Sequence, residues 1–227
     1  MPDFNLTTEV YYKKIDDLID YKTNQSFFDT NTDWAGKLTS GTGTSYGLEV
    51  LLHRKFGAWS GWMGYTLSKS ENQFDEINQG QPFRSNNDRR HDGSLFLSYL
   101  FNDHVDASLT WSIGSGKPVT LADEKYYAPQ LPTGNSGASF SENYSKRNGY
   151  TMPTFHRLDV GVNFRKDNRW GERTWSLGVM NLYGRQNSFF LFYSDTVNET
   201  TGETTRSLKQ FSLFPFPLPY FRYCLKF

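Results

Sequence analysis

Apolar and polar residues alternate with period two along most of the chain. The clearest case sets Val105, Ala107, Leu109, Trp111 and Ile113 against Asp106, Ser108, Thr110 and Ser112. Successive side chains of a β-strand point to opposite faces, so this pattern predicts a strand with one apolar and one polar face. The same pattern recurs on both sides of it. Leu6, Thr8, Val10 and Tyr12 open a long predicted strand from Phe4 to Phe28, whose phase is lost near Asp16-Asp17, where a bulge or turn is expected. Tyr46 to Leu52 and Trp59 to Leu67 flank a tight turn at Phe56-Gly57-Ala58. Leu95, Leu97, Tyr99 and Phe101 precede a second turn at Asn102-Asp103, with Phe96 and Leu100 blurring the face. His156, Leu158, Val160, Val162 and Phe164 lead through a polar turn, Lys166 to Glu172, to Trp175, Leu177 and Val179, whose strand is expected to reach about Ser194. The final strand sets Phe221, Tyr223, Leu225 and Phe227 against Tyr220, Arg222, Cys224 and Lys226.

The connections add a second regularity. Those near residues 57, 102 and 169 are short, and those near 36, 80, 134 and 200 are long. Outer-membrane barrels show this asymmetry, with short periplasmic turns and longer external loops. The fold class expected is therefore all-β: an antiparallel up-and-down transmembrane β-barrel segment of about eight strands. A soluble up-and-down barrel produces the same alternation with its apolar face turned inward. Strand length separates the two. Predicted strands of up to ~20 residues overshoot the ~10 that cross hydrocarbon and suit a wall rising above a membrane.

Composition changes the picture in three ways. Aromatic residues make up 17% of the chain while all hydrophobic residues reach only 37%, which suits a wall with one wet face and aromatic girdles. The 24 basic and 24 acidic side chains cancel, which argues against a nucleic-acid partner. No apolar run reaches the ~18 residues of a membrane helix. Met1-Pro2-Asp3-Phe4 lacks the charged and apolar regions of a signal peptide, so sequence upstream is expected. Cys224 stands alone, so no disulfide or thiolate metal site is expected within the chain.

Candidate chemistry is sparse. Asp88-Arg89-Arg90-His91-Asp92 is the densest ionisable cluster, and a rim hydrolase using His91 and Asp88 is one reading of it. The expected reading is a strand start at a loop edge with solvated, cross-paired charges. Alternation puts His156 on the opposite face from Arg157 and Asp159, so these three do not converge. Gly114-Ser115-Gly116-Lys117 lacks the spacing of a phosphate loop and is expected to be a turn. Tyr126, Tyr127, Tyr144 and Tyr150 lie in the longest loop and are the candidate ligand contacts, since external loops carry recognition and aromatic rings stack on sugars or cap apolar ligands. No catalytic residue, metal site or cofactor is expected.

Several segments resemble, in order and spacing, the C-terminal part of a TonB-dependent outer-membrane receptor. They are Gly47-Leu48-Glu49, Trp59-Ser60-Gly61-Trp62 leading to Gly64-Tyr65-Thr66-Leu67-Ser68-Lys69-Ser70, Asp88-Arg89-Arg90-His91-Asp92, Gly114-Ser115-Gly116-Lys117-Pro118, Met152-Pro153-Thr154-Phe155-His156-Arg157-Leu158-Asp159 and Val179-Met180-Asn181-Leu182-Tyr183. The ending Phe221, Tyr223, Leu225, Phe227 resembles the signal read by the barrel-assembly machinery. The resemblance implies that residues 1–227 are the last part of a 22-stranded barrel, with the plug domain and earlier strands absent. It implies a place in the cell outer membrane, contact with outer-membrane lipid, and TonB-dependent uptake of a scarce ligand such as a siderophore, vitamin or oligosaccharide. TonB would be engaged only through the missing plug, and no enzymatic activity is implied. The alternative is a complete small eight-stranded outer-membrane barrel with a structural or adhesive role.

Overall fold

The computed structural model describes residues 3–23, 33–122, 124–127, 140–144, 146–169, 171–197 and 200–227, and of residues 3, 34, 124–127, 140–142 and 168 the backbone alone. In chain order the strands are β1 (Asp3–Tyr21), β2 (Leu38–Phe56), β3 (Trp59–Phe74), β4 (Phe83–Arg84), β5 (His91–Asn102), β6 (Val105–Gly114), β7 (Pro118–Val119) and β8 (Glu124–Tyr127). They continue with β9 (Phe140–Asn143), β10 (Tyr150–Thr151), β11 (Phe155–Asn168), β12 (Gly171–Met180), β13 (Phe190–Val197), β14 (Thr204–Phe211) and β15 (Leu218–Lys226). One helical turn, α1 (Trp34–Lys37), precedes β2, its Asp33 side chain accepting a hydrogen bond from the Gly36 N–H.

The wall is one antiparallel sheet in the order β1-β2-β3-β5-β6-β11-β12-β15, with β4 added to β3. Its eight long strands follow chain order, so the topology is up-and-down, and β1 and β15 each pair with one neighbour. The register carries the alternation across the whole sheet. Leu6, Leu52, Met63, Leu95, Trp111 and Leu158 stand in one row, and Thr7, Leu51, Gly64, Ser94, Ser112 and Arg157 in the next. Every wall strand thus places its apolar set on the same face.

That face is bare. Val10, Leu6, Leu177 and Phe221 are each at least half exposed. The chain exposes 16199 Å² in all, against the ~10,600 Å² expected of a globular protein of its 26.3 kDa. An exposed apolar face of this extent marks a surface that meets a membrane or another protein. From Val105 to Ile113 the strand covers ~26 Å, or ~20 Å of height at the ~40° tilt of membrane barrels, close to their ~25 Å apolar band. At the short-turn end the face ends in aromatic contacts: Trp59 lies 4.7 Å from Tyr99, Tyr99 4.8 Å from Phe101, and Trp175 4.8 Å from Tyr223. This is the composition of a girdle at a membrane interface.

The polar face holds its own aromatic rings by leaving room for them. A Cβ at Gly178 would lie 2.4 Å from the Val160 carbonyl oxygen and 2.5 Å from the Tyr220 ring, and one at Gly161 2.6 Å from the Tyr220 hydroxyl. Tyr220 therefore lies flat across two glycines of neighbouring strands, a packing that only side-chain-free positions allow.

Three boundaries differ from the sequence-based expectation. The expected bulge is present: the β1–β2 register shifts between Ile15 and Leu18, with Asp17 at φ 58°. The expected continuation of β1 to Phe28 falls largely outside the described residues. β2 starts at Leu38, well before the alternation that begins at Tyr46, because the strand continues above the apolar band, where polar residues serve as well. β12 stops at Met180 instead of reaching Ser194. Asn181 (φ 54°) and Gly184 (φ 64°) turn the chain out of the wall, and β13 pairs with β14 in a separate hairpin. The final stretch is likewise split into β14 and β15. Pro215 and Pro217 lie in the break, where the missing N–H groups cost no ladder bonds, and Pro219 pairs with Val179 at the start of β15.

Candidate functional site

All four long connections leave the same end of the wall, and there the described residues make their one buried cluster. Phe74, Ile77 and Phe83 pack together with Leu18 against them, the two phenylalanine rings stacked 6.1 Å apart. Above it, polar side chains join the connections to one another.

The first junction is Asp88. Its carboxylate is fully buried and accepts hydrogen bonds from the Ser70 N–H (2.8 Å) and from Arg84 Nε (2.7 Å), with Arg90 3.7 Å away. Arg84 reaches on to Thr151 Oγ1 at 2.8 Å and so ties the β3–β5 connection to the β6–β11 connection. The charged cluster was expected at a solvated loop edge. Its charges do cross-pair, but Asp88 is buried, because a strand amide and a guanidinium replace its water.

The second junction is Arg147-Asn148. The Asn148 amide donates to the Arg84 carbonyl (2.7 Å) and to Asn86 Oδ1 (2.6 Å), and the Asn148 N–H donates to Thr120 Oγ1 (3.0 Å). Asn148 adopts φ 56°, a left-handed conformation that asparagine tolerates. The Arg147 N–H donates to Asn78 Oδ1 at 2.8 Å, and its guanidinium donates to the Tyr21 carbonyl at 2.6 Å. Lys22 and Glu76 add an ion pair of 3.0 Å between the first two connections. The Lys22 hydrogen bond, and after it that of Thr39, holds the Glu76 carboxyl below its ordinary pKa.

The third junction closes the top of β11 and β12. Asp159 accepts from the Asn181 N–H (2.8 Å) and pairs with Arg157 (2.9 Å). The Asn181 amide donates to the carbonyls of Arg185 and Phe214, both 3.0 Å. Asn187 exchanges two hydrogen bonds with the His156 backbone. The motif Asn181-Leu182-Tyr183 is thus the turn that takes the chain out of the wall.

The structure distributes the candidate ligand contacts over two pieces of the longest connection. Tyr126 and Tyr127 lie in β8, opposite Ser141 and Phe140 of β9, and their side chains lie outside the described set. Tyr144 directly follows β9 and is 36% exposed, while Tyr150, 42% exposed, pairs with Val119. The hydrolase pair does not assemble. His91 Nδ1 is bonded to the Tyr65 hydroxyl at 2.7 Å on the apolar face, while Asp88 is committed to Arg84 and Ser70. A matching pair, His156 Nδ1 and the Tyr183 hydroxyl at 2.7 Å, lies further round. Among the described residues no group of His, Cys, Asp and Glu has the placement of a metal site. Gly114 to Lys117 is not the expected turn: Gly114 ends β6, the Ser115 N–H still donates across to the His91 carbonyl, and Gly116 passes so close to the Met152 oxygen that a Cβ there would lie 1.5 Å from it. Arg84, Arg147 and Asn148 escaped the sequence reading, although Asn148-Gly149 is a turn signal.

A single-layer wall with a bare apolar face, short turns at one end and tied loops at the other matches the family model described as TonB dependent receptor-like, beta-barrel, over residues 2–182. The chain belongs to the TonB-dependent receptor β-barrel family. No curated protein matches it. This family is one of outer-membrane receptors and transporters, not of enzymes, and its barrels meet lipid with the apolar face. The tied loops of the chain stand where such barrels carry their external loops.

Proposed function

We propose that the chain is the C-terminal part of the wall of an outer-membrane receptor that takes up a scarce ligand with TonB. The plug domain and the earlier strands come from sequence outside residues 1–227, and TonB is engaged through that plug. The ligand is a siderophore, vitamin or oligosaccharide. Tyr126, Tyr127, Tyr144 and Tyr150 of the longest connection contact it, and Phe221, Tyr223, Leu225 and Phe227 serve as the signal read by the barrel-assembly machinery. The reading is supported above all by the family match over residues 2–182 together with the apolar face that runs unbroken through all eight wall strands. The edges of β1 and β15, each paired with one neighbour, fit a wall that further strands complete. Uptake of labelled siderophore, vitamin and oligosaccharide by cells with and without the gene tests the reading. One ligand class should lose its energy-dependent uptake, and that uptake should also fall when a protonophore is added. Unchanged uptake of all three classes contradicts it.

A further inference from the structure

The short-turn end of the β11–β12 hairpin sorts its charges by face. Lys166 stands directly opposite Arg173 on the apolar face, and Asp167 stands directly opposite Glu172 on the polar face. Like charges opposite one another are unfavourable, and a shift of one position would have removed both repulsive pairs and set Lys166 opposite Glu172 or Asp167 opposite Arg173. The apolar face therefore gathers positive charge at one level. Neither Lys166 nor Arg173 makes an ion pair among the described residues, and Arg173 Nε is buried with no hydrogen-bond partner.

Lys166 also lines a depression of about 440 Å³ with His104, Val105, Phe164, Arg165 and Trp175. Arg165 is turned to the polar face, where it pairs with Asp106, so it does not neutralise the site. Asp103, in the adjacent turn, pairs with neither cation. What remains is Lys166 and the His104 imidazole lining a pit with aromatic walls, with Arg173 directly opposite Lys166 on the neighbouring strand, near the Trp175–Tyr223 girdle. At that level of a membrane barrel lipid phosphates meet the wall, and Lys and Arg are drawn to anionic headgroups there.

We propose that this end of the β11–β12 hairpin is a binding site for an anionic phospholipid, with Lys166 and Arg173 holding the phosphodiester and Phe164, Trp175 and Val105 holding the glycerol and first acyl carbons. The proposal rests on the reading that the apolar face meets lipid. A neutral diacylglycerol has the chains without the charge, and inorganic phosphate has the charge without the chains, so neither satisfies both halves of the site.

The test uses the protein at its natural length, delipidated in detergent and supplied with phosphatidylglycerol, diacylglycerol or inorganic phosphate, with retained lipid counted by native mass spectrometry. Phosphatidylglycerol should be retained, and the double variant Lys166→Gln/Arg173→Gln should weaken retention roughly tenfold or more. The control Lys69→Gln, on the same face at the loop end, should leave it unchanged. Equal retention by the double variant overturns the proposal, as does complete displacement of phosphatidylglycerol by inorganic phosphate. A photoreactive phosphatidylglycerol on the unaltered protein in vesicles provides a readout that does not depend on variant folding. Adducts should concentrate at Val105 and between Phe164 and Trp175. Adducts spread evenly over Leu97, Leu109 and Val160 overturn this site alone, and adducts absent from the whole apolar face overturn the wall orientation as well.

Discussion

Asp88→Ala should loosen the base of the β3–β5 connection. The carboxylate is fully buried and holds a charge-assisted hydrogen bond from Arg84 as well as the Ser70 N–H. Losing the first costs ~1.5–3 kcal/mol, and leaving the amide without a partner costs ~1–3 kcal/mol. Arg84 recovers part of this, because its side chain is 27% exposed and keeps Thr151. A net local cost of ~2–4 kcal/mol remains, which corresponds to roughly a hundredfold at ~1.4 kcal/mol per decade. The appropriate assay is hydrogen exchange at the Ser70, Ser85 and Asp88 amides, which close this small network: Ser85 N–H donates to the Ser70 carbonyl and Asp88 N–H to the Ser85 carbonyl. Asp88→Asn keeps an oxygen for Ser70 and loses the charge, so its protection should fall by only about tenfold. A double-mutant cycle with Arg84→Ala should show a coupling of ~1 kcal/mol or more. Protection in Asp88→Ala within about threefold of the unaltered protein, or additive single variants, would refute the assignment of Asp88 as the buried junction.

Gly178→Val should abolish the heat-modifiable folded species, because its Cβ would meet the Val160 backbone oxygen 2.4 Å away. Gly161→Ala should be milder and should recover in a Tyr220→Ala background, since the tyrosine hydroxyl is the nearest obstacle; an equal defect in both backgrounds counts against the ring packing. The Glu76 carboxyl is held below its ordinary value by Lys22, so its contribution is present above the ordinary glutamate range and is lost as pH falls through the lowered value. Proteolysis of the first two connections should accordingly rise on acidification, and Glu76→Gln should remove that pH dependence; an unchanged profile in Glu76→Gln is the contrary result. Tyr223→Ala/Phe227→Ala should reduce membrane insertion without reducing synthesis, measured as the ratio of folded to total protein, and normal insertion at native expression would remove these residues from the assembly signal.

The wall was legible because each of its faces meets a different medium. In a single layer, period two is enforced at every position, and so Val105 to Ile113 or His156 to Phe164 could be read directly. The same argument correctly separated His156 from the Arg157–Asp159 pair. It failed where the chain leaves the wall. Phe189 to Tyr193 is an unbroken apolar run that reads as a continuation of β12, yet the left-handed Asn181 has already moved it into another hairpin. The loop junctions had no periodic signal to show. Arg147 and Tyr21 are far apart in sequence, and the contact between them rests on a guanidinium reaching a single carbonyl. The burial of Asp88 was hidden for a related reason: Asp-Arg-Arg-His-Asp reads as an exposed charge run, and only the folded chain supplies the Ser70 amide that replaces water.

Orientation of the wall is best tested by a nitroxide scan through β6 in lipid bilayers, one label at a time from Val105 to Ile113 with Cys224 replaced by serine. Labels at Val105, Ala107, Leu109, Trp111 and Ile113 should collide with membrane-dissolved oxygen, and those at Asp106, Ser108, Thr110 and Ser112 with a water-soluble paramagnetic reagent, in strict alternation. Oxygen accessibility that fails to alternate, or that alternates with the opposite phase, would contradict a barrel wall that meets lipid with its apolar face.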